Sequence, residues 1–127
     1  MTQGVKLLIV DDEPSFVRSV SDYLSMVGYQ VFVAFDGNQA LLQMERERPA
    51  LALLDLKMPG PNGEELIRRA QQVSPGTKLV ILTAFHDGGV REQTMRSQGV
   101  VGFLYKPLSS LLELEKIIQN TLEGKTA

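Results

Sequence analysis

Five residues suited to metal or phosphorus chemistry stand at or just past the ends of short apolar runs. Asp11 and Asp12 follow Leu7 to Val10, Asp55 follows Leu53-Leu54, Thr83 follows Leu82, and Lys106 precedes Pro107. Close carboxylates repel one another, and the pKa of at least one should rise. A hard divalent cation relieves that repulsion, and Mg2+ prefers a few carboxylate oxygens plus waters. A carboxylate can also act as a nucleophile on phosphorus and form an acyl phosphate. An ammonium would neutralise charge on the transferred group, and a hydroxyl would donate a hydrogen bond to it. Residue types and spacing define this cluster and its chemistry but leave open which carboxylate reacts.

The elements that must bring these residues together are legible in the apolar pattern. Runs rich in Val, Ile and Leu begin near Val5, Gln30, Leu51, Lys78 and Val100, with longer amphipathic stretches between them. Strands alternating with helical patterns predict a parallel sheet covered by helices on both faces. Pro14 marks the start of a first helix, with Asp12 and Glu13 as capping candidates. Phe16, Val17, Val20, Leu24 and Val27 recur in it at helical spacing, and Gly28 suits its left-handed C-terminal cap. Asp36-Gly37 reads as a turn before a helix holding Ala40, Leu41 and Met44, which Pro49 closes by disfavouring helical geometry at Arg48. Pro75-Gly76 separates the third helix from the fourth strand, Gly99 ends the fourth helix, and Pro107 ends the fifth strand. Ser109 or Ser110 can cap a last helix through Leu112, Ile117, Ile118 and Leu122.

Five strands and five helices in strict alternation predict a single doubly wound α/β domain, (βα)5. Right-handed crossovers favour the flavodoxin-like strand order 2-1-3-4-5. Ligands then gather at the carboxyl ends of the strands, near the switch point between strands 1 and 3. All five residues named at the outset belong to that edge.

Composition narrows the alternatives. The 127 residues fit one domain, with 43% hydrophobic and 22% charged residues, and no cysteine for a disulfide or thiolate metal site. A formal charge of −2 offers no electrostatic reason to expect nucleic-acid or membrane binding. No apolar run approaches the roughly 20 residues of a membrane span. The apolar run from Leu7 to Val10 is too brief for a signal peptide. The expectation is a soluble, cytoplasmic protein.

Four segments, taken in order, resemble the receiver domain of two-component response regulators. They are Ile9-Val10-Asp11-Asp12-Glu13, the run from Leu53 through Asp55 to Gly63, Leu82-Thr83-Ala84 and Tyr105-Lys106-Pro107. The resemblance covers essentially the whole chain. It implies that Asp55 accepts a phosphoryl group from a phosphohistidine of a sensor histidine kinase or phosphotransfer protein. It implies an Mg2+ ion held by Asp12, by Asp11 mainly through water, by Asp55 and by the backbone carbonyl of Lys57. Lys106, Thr83 and the Ala84 N–H would contact phosphoryl oxygens, and Phe103 would follow Thr83 inward. The surface of helix 4, strand 5 and helix 5 would then change and select an output domain, a downstream protein or a second copy. A cis peptide is implied between Lys106 and Pro107. Residues 4–123 would form the receiver domain, with 124–127 a tail or the start of a linker and no effector domain on the chain.

Several positions have simpler readings. Asp36 and Asp87 read as turn or cap residues, Phe103 reads equally well as core, and His86 is a lone exposed histidine. The methionines at 26, 44, 58 and 95 read as packing residues, and Glu45-Arg46-Glu47-Arg48 as a solvated helix end. Asn62-Gly63 stands where many receivers have Asp-Gly, and both pairs suit the same turn. Lys57 and Phe85 flank the site. Lys57→Met or Phe85→Ala is expected to change the lifetime of the acyl phosphate more than the fold, and equal lifetimes in mutant and parent would oppose this.

Three other functions fit these residues less well. A haloacid-dehalogenase-type phosphohydrolase needs a second Asp two residues after its nucleophile, where this chain has Lys57. A flavodoxin needs a phosphate-binding loop after strand 1, where Asp11-Asp12-Glu13 would repel a phosphate. A phosphorylation-independent interaction module on the same fold usually lacks one of the acid pair, the acceptor or the lysine. All of these are present, which favours a switch that phosphorylates and dephosphorylates itself and has no separate substrate.

Overall fold

Side chains along a strand alternate between faces, and the apolar residues here are plentiful enough to bury both. The computed structural model describes residues 3–56, 63–84 and 90–124. Its strands are β1 (Lys6–Val10), β2 (Gln30–Ala34), β3 (Leu51–Leu54), β4 (Lys78–Thr83) and β5 (Gly102–Tyr105). Its helices are α1 (Pro14–Met26), α2 (Gly37–Glu47), α3 (Gly63–Val73), α4 (Val90–Ser97) and α5 (Leu111–Leu122). The strands form one parallel sheet in the order β2-β1-β3-β4-β5, the flavodoxin-like arrangement.

Alternation divides the core into two layers. Leu8, Val10, Ala52, Leu54 and Ile81 face Ala40 and Met44 of α2, Leu66, Ile67 and Ala70 of α3, and Met95 of α4. Leu7, Ile9, Leu53, Val80 and Leu82 face Val20 and Leu24 of α1, and Leu114 and Ile118 of α5. On that second side Tyr23 donates its hydroxyl to Glu115 at 2.6 Å, tying α1 to α5. Thr77 donates to the Pro49 carbonyl at 2.7 Å and lies 2.6 Å from Ser74, joining the α2–β3 and α3–β4 connections through buried side chains.

Most boundaries obey the local chemistry expected of them. Gly28 takes φ +114° past α1, where the Tyr29 N–H reaches the Leu24 carbonyl. Arg48, before Pro49, adopts the left-handed region at φ 46°. Asp36 caps α2 by accepting from the Gln39 N–H at 2.8 Å. Of the two serine candidates, Ser110 caps α5 by accepting from the Glu113 N–H at 3.0 Å, while Ser109 bonds the Glu113 side chain. Ser110→Ala is therefore expected to cost about 1 kcal/mol. A lower urea midpoint at unchanged slope would show it, and an unmoved midpoint would deny the cap its role.

Four expectations need correction. Strand β5 begins at Gly102 rather than near Val100, because the Val100 N–H is committed to the Met95 carbonyl at the end of α4. Glu13 is the N-cap of α1 by geometry, yet neither it nor Asp12 caps with its side chain. Met26 is 77% exposed, so packing does not explain it, whereas Met44 and Met95 are fully buried. Glu47 is not purely solvated, since it pairs with Lys6 at 3.2 Å. Asn62, Met58, His86 and Asp87 lie outside the described residues. Gly63 opens α3 where a Cβ would come within 2.7 Å of Leu56 Cδ2, a close approach that favours glycine.

Candidate functional site

Strand register assembles the site. Val10 pairs with Leu54 across β1 and β3, so the next residues, Asp11 and Asp55, emerge side by side at the carboxyl edge. The Asp55 N–H binds the Val10 carbonyl at 3.0 Å, and the Asp11 N–H binds the Ala34 carbonyl at 3.1 Å. Thr83 pairs with Tyr105 across β4 and β5, and the Lys106 N–H binds the Thr83 carbonyl at 2.8 Å. Lys106 thus leaves the far side of the sheet edge, and its long side chain reaches back across it. Its peptide bond to Pro107 is cis, as the resemblance implies.

The Lys106 ammonium is the hub. It lies 2.7 Å from Asp11 Oδ2, 3.1 Å from Glu13 Oε1 and 3.4 Å from Asp55 Oδ2. The ring of Phe16 approaches it to 4.6 Å, close enough for a cation–π contact. Asp11, Asp12 and Asp55 each present a ligand oxygen, and these oxygens all lie within 4.8 Å of one another. Asp11 and Asp55 are buried, and Asp12 is exposed.

The electrostatics follow from burial. Loss of water pushes the Asp11 carboxyl above its usual range, and the Asp55 charge adds to the rise. The Lys106 hydrogen bond, the Glu13 N–H and the Lys106 charge oppose the rise without cancelling it. Burial alone would lower Lys106, but hydrogen bonds to Asp11 and Glu13 and the charges of Asp11 and Asp55 outweigh it, leaving the ammonium above its ordinary value. A buried, desolvated carboxylate beside two others is an all-oxygen donor set with excess negative charge. That set fits a hard divalent cation, which would offset the repulsion the lysine leaves.

A family model described as the response regulator receiver domain matches residues 7–119. The chain belongs to this family. As a receiver domain of two-component response regulators it serves phosphorylation-based signalling. It is 39% identical over 80 residues to sporulation initiation phosphotransferase F of Bacillus subtilis, a match covering 63% of this chain and 64% of that protein. It is 37% identical over 120 residues to the probable transcriptional regulator ycf27 of Porphyridium aerugineum, covering 94% of this chain and 49% of that one. The receiver domain thus spans less than two thirds of these curated relatives. Among solved structures, a CheY-like receiver domain protein from Methanospirillum hungatei JF-1 superposes with a TM-score of 0.87 at 27% identity, covering 98% of this chain and 96% of that one. The chemotaxis response regulator CheY4 of Vibrio cholerae gives 0.81 at 31% identity, covering 94% and 98%.

Within the receiver domain, the site residues expected from sequence are distributed as follows. Asp11, Asp12, Asp55 and Lys106 converge. Thr83 is buried at the end of β4, one residue before the exposed Ala84. Phe103 is partly buried on β5, packs against the core beneath α2, α3 and α4, and stacks tilted on Tyr105 at 5.4 Å between centroids. Lys57 and Phe85 lie outside the described residues. Two participants escaped sequence reasoning. Phe16 was read only as part of the α1 apolar stripe, and Glu13 as a capping candidate and a member of the acidic run after strand 1, with no contact to Lys106 assigned. The signal available for Glu13 was its place directly after the acid pair. Among the described residues no helix is long and apolar enough to cross a membrane.

Proposed function

We propose that Asp55 is the phosphoryl acceptor of a Mg2+-dependent signalling switch. The observation that carries this reading is the gathering of three carboxylates at the sheet edge, with oxygens within 4.8 Å of one another, two of them paired with the half-buried Lys106. Asp11, Asp12, Asp55 and the Lys57 carbonyl would hold the ion. When bound, Mg2+ supplies positive charge to the phosphoryl oxygens.

The chain's own residues do the rest. A carboxylate oxygen of Asp55 attacks phosphorus, the bond from phosphorus to the kinase imidazole nitrogen breaks, and the electron pair leaves with the imidazole. The Lys106 ammonium exchanges a carboxylate partner for a phosphoryl oxygen. The Thr83 hydroxyl and the Ala84 N–H donate to the others. Water later attacks the same phosphorus, releasing inorganic phosphate and restoring the Asp55 carboxylate. The chain therefore resets itself and turns over no separate substrate.

The new charge biases a pre-existing two-state element. Thr83 moves toward the phosphoryl group, Phe103 turns inward with it, and the surface of α4, β5 and α5 is read by an output domain, a downstream protein or a second copy. Residues 4–123 form this unit, acting in the cytoplasm with a histidine kinase or phosphotransfer protein as donor. Intact mass after incubation with acetyl phosphate and Mg2+ tests the reading. One added phosphoryl group, dependent on Mg2+, supports it. No addition, also with candidate kinases, would leave a phosphorylation-independent interaction module on the same fold.

A further inference from the structure

Lys106 carries a carboxylate partner from outside the three-aspartate cluster. Glu13 Oε1 accepts from its ammonium at 3.1 Å, with the Glu13 side chain 61% exposed and that of Lys106 only 13% exposed. Glu13 therefore stands between solvent and the lysine. Its backbone is fixed from both sides. Its N–H binds Asp11 Oδ1 at 3.0 Å, and its carbonyl accepts from the Val17 N–H at 3.0 Å. An N-cap side chain normally satisfies the first free N–H groups of its helix. The Glu13 side chain makes no such bond and turns to Lys106 instead. The Phe16 ring, one turn along α1, borders the same ammonium.

We propose that Glu13 is a positioning residue that competes with the incoming phosphoryl group for Lys106. The proposal rests on the reading that Lys106 receives a phosphoryl oxygen. While Glu13 holds the ammonium, one donor that the anion needs is engaged, and a negative charge stands at the entrance. Loss of that charge should favour anion entry. The pair is exposed on one side, so screening keeps the effect modest.

The test compares the parent with Glu13→Gln, Glu13→Ala and Glu13→Asp, following phosphoryl uptake from acetyl phosphate at saturating Mg2+. Glu13→Gln and Glu13→Ala are expected to speed uptake at subsaturating acetyl phosphate by about 2- to 5-fold, the size of an exposed ion pair. The gain should lie in the apparent KM rather than the saturated rate, and should shrink in 1 M salt. Glu13→Asp, which keeps the charge, should return toward the parent. Unchanged or slower uptake in Glu13→Gln, or a gain indifferent to salt, would overturn the proposal while leaving Asp55 as acceptor. If the parent itself takes up no phosphoryl group, the acceptor reading and this proposal fall together.

Discussion

Asp55→Asn is expected to abolish the gain of one phosphoryl group from acetyl phosphate and Mg2+, while the fold survives. Asparagine keeps the shape of the side chain but offers a neutral amide in place of the carboxylate oxygen that must attack phosphorus. The loss should be complete within detection, since no other group in the cluster has the same setting. Asp11 is bound by Lys106 at 2.7 Å and by the Glu13 N–H at 3.0 Å, and Asp12 is exposed to solvent. Removing one of three mutually repelling carboxylates should also leave the metal-free protein at least as stable as the parent. The two readouts separate chemistry from folding. Residual phosphorylation in a mutant with an unchanged melting curve would mean that another carboxylate is the acceptor.

Lys106→Ala should give the largest loss of stability among the site substitutions. The lysine is the only cation on the buried Asp11 carboxylate among the contacts described, and it also faces Asp55 at 3.4 Å. Removing one partner of a buried pair leaves an uncompensated charge, at about 3 kcal/mol or more. For a domain of this size that corresponds to a melting point lower by roughly 10 °C. The pH dependence has a definite sign. Asp11 already titrates above its usual range, and loss of Lys106 should raise it further. A carboxyl whose folded pKa is raised favours the folded state at low pH, and that contribution is lost as pH rises. The deficit of the mutant should therefore be largest near neutrality and shrink on acidification through the carboxylate range. Mg2+ should recover part of it, because the cation shares the same oxygens. Equal melting points for mutant and parent at neutral pH would show that the ammonium does not hold this cluster together.

Much of the molecule was legible before any coordinates. The continuous apolar runs of β1, β3 and β4 and the helical recurrence of Val17, Val20 and Leu24 determined the layers, because burying both sheet faces leaves few other arrangements for these apolar residues. Gly28, Arg48-Pro49 and Asp36 determined boundaries through purely local backbone chemistry. The acid pair, Asp55, Thr83 and Lys106 followed from the rule that parallel strands present their carboxyl ends to one edge.

Tertiary structure decided what happens where residues distant in the chain compete for one partner. Sequence placed Glu13 as a cap, because a helix start offers N–H groups to any nearby acceptor. Only the crossing of Lys106 from β5 to β1, 93 residues away, supplied a stronger electrostatic claim on that side chain. Phe16 was indistinguishable from its apolar neighbours until the same lysine arrived above its ring. Val100 looked like strand until the end of α4 took its N–H. Local propensity is set by a few neighbouring residues. The disposition of a long charged side chain is set by which oppositely charged groups the fold brings within its reach, and that is a property of the assembled sheet edge.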